Sequence, residues 1–86
     1  MIVLWRETPE ATRVGFAVSR QVRGAVERNR VRRRLREAWR ATRDAAPGHA
    51  ALVIVGRPVA SSAPLPKLAA EMRGALAAIP GGQTPA

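Results

Sequence analysis

The chain has 86 residues, with 15 Lys and Arg against six Asp and Glu, a formal charge of +9, one His and no Cys. That is enough for one small domain with a modest core, it excludes disulfides and thiolate metal sites, and it suits a reducing cytoplasm. The longest apolar runs, 1–5 and 50–55, are too short to span a bilayer, and the start carries no basic segment followed by a long apolar stretch, so neither a membrane span nor a secretory signal is expected.

Taken in order, Ile2-Val3-Leu4-Trp5 reads as a β-strand, either an edge or what remains of a longer N-terminus. Alternation puts Val3 and Trp5 on one face and Ile2 and Leu4 on the other, so Trp5 is either a core residue or a stacking platform for a base. The polar stretch from Glu7 to Thr12, with Pro9 inside it, is a turn. Arg13 to Ser19 alternates strictly: Val14, Phe16 and Val18 are expected on the core, while Gly15, Ala17 and Ser19 leave the opposite face shallow. Gly24 is available for a turn conformation before the next element.

That element dominates the chain. Between Arg20 and Arg43 stand ten arginines and two glutamates, so this segment carries 10 − 2 = +8 of the formal +9. At about 100° per residue, Val31, Leu35, Ala38, Trp39 and Thr42 form one apolar stripe, which predicts a core-facing helix starting near Val26. Arg32, Arg36, Arg40 and Arg43 run along its shoulder, Asn29, Arg30 and Arg33 continue round the far side, and Arg28 falls at the rim of the stripe. An ordinary charged helix face mixes both signs. Seven of the thirteen residues from Arg28 to Arg40 are arginine, opposed only by Glu37. Such crowding repels itself and calls for a polyanion, and Arg is the residue that forks onto phosphate and stacks on bases, so a nucleic acid is the expected ligand.

Pro47-Gly48 then marks a stop, and His49 has no ligand at metal-binding spacing. Ala50 to Gly56 is a near-continuous apolar run, expected as a strand buried on both faces and parallel to the Val14–Val18 strand in a βαβ unit. Arg57-Pro58 ends it. The stretch from Ser61 to Pro66 offers hydroxyl caps and early prolines for a last helix, whose Leu65, Leu68, Met72, Leu76 and Ile79 form one stripe packed on the sheet. Residues 1–79 thus make a single domain, and 80–86 are expected as a flexible tail. Six acids, one His, no Cys and no glycine-rich phosphate loop leave almost nothing for acid–base, nucleophilic or metal catalysis.

The run Arg13-Val14-Gly15-Phe16-Ala17-Val18-Ser19, followed by Ala25-Val26-Glu27-Arg28-Asn29-Arg30-Val31-Arg32-Arg33-Arg34-Leu35-Arg36-Glu37-Ala38, closely resembles the bacterial ribonuclease P protein subunit over roughly residues 1–79. The resemblance implies an α/β sandwich: a small three-stranded sheet, an arginine-rich helix and a C-terminal helix on it, and a βαβ crossover that is left-handed in the family, against the usual rule. It implies a non-catalytic partner of a catalytic RNA that cleaves precursor tRNA at its 5′ end. The protein would dock on that RNA and hold the 5′ leader, binding no cofactor itself, with Mg²⁺ supplied through the RNA and no protein oligomer or membrane contact expected. It assigns RNA binding to Arg28, Asn29, Arg30, Arg32, Arg33, Arg36 and Arg40, and the leader-binding cleft to Val3, Trp5 and Arg20. The family usually begins with a basic segment and an aromatic-bearing helix that this chain does not show, and Arg34 stands where an apolar residue is common. The alternative is a general basic RNA-binding or ribosome-associated module with no part in tRNA processing.

Overall fold

A computed structural model of the chain describes residues 1–82. Three strands, β1 (Ile2–Glu7), β2 (Arg13–Val18) and β3 (Ala50–Gly56), make one sheet in the order β1-β3-β2. β1 pairs antiparallel with β3, Val3 opposite Ile54 and Trp5 opposite Leu52; β2 pairs parallel with β3, Phe16 opposite Ile54 and Val18 opposite Gly56. Between β2 and β3 runs α1 (Ala25–Thr42), and α2 (Leu65–Ala77) follows β3, so β2, α1 and β3 form the expected crossover unit.

Both helices lie on one side of the sheet. Val31, Leu35, Ala38 and Thr42 of α1 are buried together with Leu52 and Ile54 of β3 and with Leu68, Met72, Leu76 and Ile79 from α2 and the turn after it. Val14, Phe16 and Trp39 pack against this cluster half-buried. The apolar stripes read from periodicity are therefore the core seams. Two short 3₁₀ turns, Arg43–Ala45 and Pro58–Ser61, were not visible as elements in the sequence.

Two expectations need correcting. β3 is covered on one face only: Ala50, Leu52, Ile54 and Gly56 are buried, whereas Val53 is 41% exposed and Ala51 and Val55 are half-buried, because both helices pack on the same side. The last helix has no hydroxyl cap. Pro64 is its N-cap residue, Pro66 sits in its first turn, and the Ser61 hydroxyl instead donates to the Pro58 carbonyl at 3.0 Å. Residues 80–82 form a turn in which the Gly82 amide donates to Ile79 O at 2.7 Å; the rest of the expected tail, 83–86, lies outside the described residues.

α1 packs tightly against the sheet at Gly56. A Cβ there would overlap Val31 Cγ1 and stand 2.9 Å from Leu35 Cδ1. Val31 is β-branched and stiff within a helix, so it cannot swing aside. Gly56→Ala is expected to lower stability by about 1–3 kcal/mol through overpacking, read as a lower urea midpoint at unchanged slope.

The other end of α1 is tied to α2. Arg73 donates to Asp44 Oδ2 at 2.9 Å and Oδ1 at 3.2 Å, and to Ala41 O at 2.9 Å. The guanidinium hydrogen bonds hold the Asp44 carboxyl below its usual range.

Candidate nucleic-acid interface

α1 carries seven arginines and two glutamates over its 18 residues. Glu27 is in the first turn and Arg40 in the last, each matching the sign that the helix dipole favours there. With the apolar stripe held against the sheet, the remaining arc of the helix must face water. The structure divides its arginines into two groups.

One group is held by backbone carbonyls. Arg28, half-buried, donates through Nη1 to Ser19 O and Val22 O, both at 3.0 Å, and through Nη2 to Val18 O at 3.2 Å. Arg34, also half-buried, donates through Nε to Ala60 O at 2.7 Å and through Nη2 to Ala63 O. Arg30 is exposed, with Nε on Ser61 O at 2.8 Å. Arg30 and Arg34 thus fasten the 60–63 segment to α1.

The other group points outward. Asn29, Arg33, Arg36 and Arg40 are exposed and Arg32 is half-buried. None of the three ion pairs among the described residues involves an α1 arginine. Val26, Asn29, Arg32, Arg33 and Arg36 line one open groove along the helix, and Arg30, Arg33, Arg34 and Glu37 line a second, so Arg33 borders both. The guanidinium groups on this face have their forks available for phosphate.

The structural role of Arg34 went unread in the sequence. Its position was readable, because it stands three residues after Val31 and four before Ala38 and so flanks the seam. What it bonds was not, since the partners are carbonyls 26 and 29 residues away.

Of the residues expected to line a cleft on the sheet, Val3 and Trp5 share one face of β1 and Arg20 stands apart from them. Val3 faces the helices and packs against the core, because its partner Ile54 is fully buried there. Val3 is therefore corrected from an open cleft position to a core-side one. Trp5 shares the face of Val3, opposite the buried Leu52, yet is 42% exposed; it borders a shallow depression formed on the other face by Leu4, Arg6, Ala51 and Val53. Arg20 is exposed past the end of β2, where the Ser19 amide bonds Gly56 O at 2.8 Å. Trp5 is level with Leu52, four residues back along β3 from Gly56, so Val18 and Trp5 are about 13 Å apart along the strands and Arg20 lies beyond Val18. The exposed apolar face that the sequence did not identify consists of Ile2, Leu4 and Val53.

His49 is engaged in the loops. Its Nδ1 lies 3.0 Å from the Glu10 carbonyl and therefore donates to it. Thr12 Oγ1 donates to Pro47 O and accepts from the Ala50 amide, pinning the same loops together. No helix of the described residues is long and apolar enough to cross a membrane.

Comparison with known proteins gives a consistent result. The family model described as Ribonuclease P matches residues 1–79. The "Ribonuclease P protein component" of Kocuria rhizophila is 44% identical over 70 residues, covering 81% of this chain and 62% of that protein. The protein of the same name from Brucella suis is 47% identical over 68 residues, covering 77% and 48%. The chain thus spans about half to three-fifths of the length of these relatives. Among solved structures, the RNase P protein from Thermotoga maritima superposes with a TM-score of 0.78 at 24% identity, covering 90% of this chain and 74% of that one. The RNase P protein of Staphylococcus aureus gives a TM-score of 0.72 at 18% identity, covering 94% and 75%. At those identities the two structures speak for the fold, which is the same small sandwich.

Proposed function

The chain belongs to the ribonuclease P protein family, and from that premise we propose that it is the protein component of a ribonuclease P holoenzyme, a cytoplasmic, non-catalytic partner of a catalytic RNA in maturing the 5′ end of tRNA. The observation that carries this reading is the outward face of α1. Asn29, Arg32, Arg33, Arg36 and Arg40 stand on one rigid helix and take no part in the described ion pairs. Each guanidinium can fork onto a phosphate, release counterions and screen the approach of two RNAs, precursor and catalyst. The reactive groups and the Mg²⁺ come from the RNA, in keeping with a chain of six acids, one His and no Cys.

The precursor's single-stranded leader is proposed to cross the open face of the sheet. Support comes from the exposed Leu4 and Val53 beside Arg6, apolar surface and a cation in one shallow depression. A basic and apolar surface of this kind can take a single strand without regard to sequence.

Reconstitution tests both parts. The purified chain is added to bacterial ribonuclease P RNA at low magnesium, with precursor tRNAs bearing leaders of one or of several nucleotides. Restored cleavage that favours the longer leader is the expected result. Restored cleavage indifferent to leader length would reject the sheet face as a leader site and leave α1 as an electrostatic brace. No restoration, together with equal binding of unrelated RNAs, would reject the ribonuclease P role for that of a general RNA-binding module.

A further inference from the structure

Arg28 stands apart from the other arginines of α1. Its two terminal nitrogens reach three carbonyls at separate points of the β2–α1 connection: Val18 at the end of the strand, Ser19 just after it, and Val22 in the turn. The same turn is stitched by the Val22 amide on Ser19 O at 3.0 Å and joined to β3 by the Ser19 amide on Gly56 O at 2.8 Å. Gly24, at φ 86°, then redirects the chain, and the Arg28 amide closes the first helical turn on Gly24 O at 3.0 Å. A half-buried guanidinium shared among three carbonyls is already well satisfied, so a phosphate would have to displace bonds of the charge-assisted class.

This geometry has a lever arm. Arg40 lies about 18 Å along the helix from Arg28, so a tilt of about 10° at the junction would carry it about 3 Å. That is the length of a hydrogen bond and enough to break register with a fixed row of phosphates.

We propose that Arg28 is a positioning residue: it takes no phosphate and, by clamping the β2–α1 junction, sets where Asn29, Arg32, Arg33, Arg36 and Arg40 meet RNA. This rests on the reading of α1 as the RNA face. A planar fork is required, so Lys cannot replace it although it keeps the charge.

The test uses the full chain, a transcript of bacterial ribonuclease P RNA, and mature tRNA as the comparison RNA, with affinity measured across a salt series well below each variant's melting temperature. Arg28→Lys keeps the charge and loses the fork. Arg28→Gln loses both. Gly24→Ala strains the same junction, because an L side chain resists φ 86°, yet removes no cation. Arg28→Lys and Gly24→Ala are each expected to weaken binding about tenfold with the salt slope unchanged, and Arg28→Gln to weaken it no further. Binding by Arg28→Lys within twofold of the unmodified chain would overturn the proposal, since a lowered melting temperature with intact affinity is all that a purely structural role predicts. So would a slope flattened by about one unit in Arg28→Gln, the mark of a lost phosphate contact. If Arg28→Gln does not fold, the other two variants decide. Equal binding of both RNAs by the unmodified chain would reject the ribonuclease P reading instead, while the Arg28 comparison still reports on the α1 face.

Discussion

Leu35→Ala is expected to destabilise the domain by about 2–5 kcal/mol. Leu35 is fully buried, and its neighbour across the seam is Gly56, a point of close approach between α1 and the sheet. Gly56 has no side chain to move into the space, so the cavity left by truncation cannot collapse from that side. Small domains are stable by about 5–15 kcal/mol in total, and each kcal/mol shifts the melting temperature by about 4–8 °C at this size. The variant should therefore melt well below the parent in a thermal or urea scan. Below its melting temperature it should still bind RNA, because the outward arginines do not depend on the Leu35 side chain itself. A loss under about 1 kcal/mol would show that the seam repacks and that Leu35 is not its centre.

The largest functional effect is expected from replacing Arg32, Arg33 and Arg36 together by Ala. These three, with Val26 and Asn29, line the groove on the outward face of α1. Each lost phosphate contact should reduce the salt slope of RNA binding by about 0.7–0.9, so the triple variant should flatten it by about 2–3 units. Affinity should fall on the order of a hundredfold to a thousandfold, if each charge-assisted contact contributes about 1 kcal/mol or more. Stability should not fall. Ala is the better helix former, and removing three like charges relieves repulsion along the helix. An unchanged slope with lowered affinity would move the phosphate contacts elsewhere. A lowered melting temperature would mean that these side chains also cover apolar surface, as Arg stems can.

The two variants separate what the helix does on its two sides. One side is a dry seam whose energy comes from packing, and the other is a charged surface on which the proposed docking depends. Arg28 and Arg34 stand at the boundary, where a guanidinium can rest its stem on the seam and spend its head on nearby carbonyls.

The sequence by itself determined the three strands, the two α-helices, the core stripes and the family. Period-2 alternation from Arg13 to Val18 and the 3.6-residue stripe through Val31, Leu35, Ala38 and Thr42 are local patterns, and local geometry is enough to read them. The excess of arginine from Arg28 to Arg40 was legible for the same reason, since charge can be counted without knowing the fold. Only the tertiary structure decided which face of the sheet is covered. Ile2, Val3, Leu4 and Trp5 are apolar on both sides of β1, so alternation could not say that Val3 goes inward and Leu4 outward. The same holds for β3, whose apolar run suggested two covered faces while both helices occupy one. It also decided the fate of individual arginines. Arg28 and Arg33 are the same residue type five positions apart, yet one is held by three carbonyls and the other is exposed, because only Arg28 lies within reach of the β2–α1 turn that folding brings beside it. Long-range contact, not composition, assigns a charged side chain to the scaffold or to the ligand.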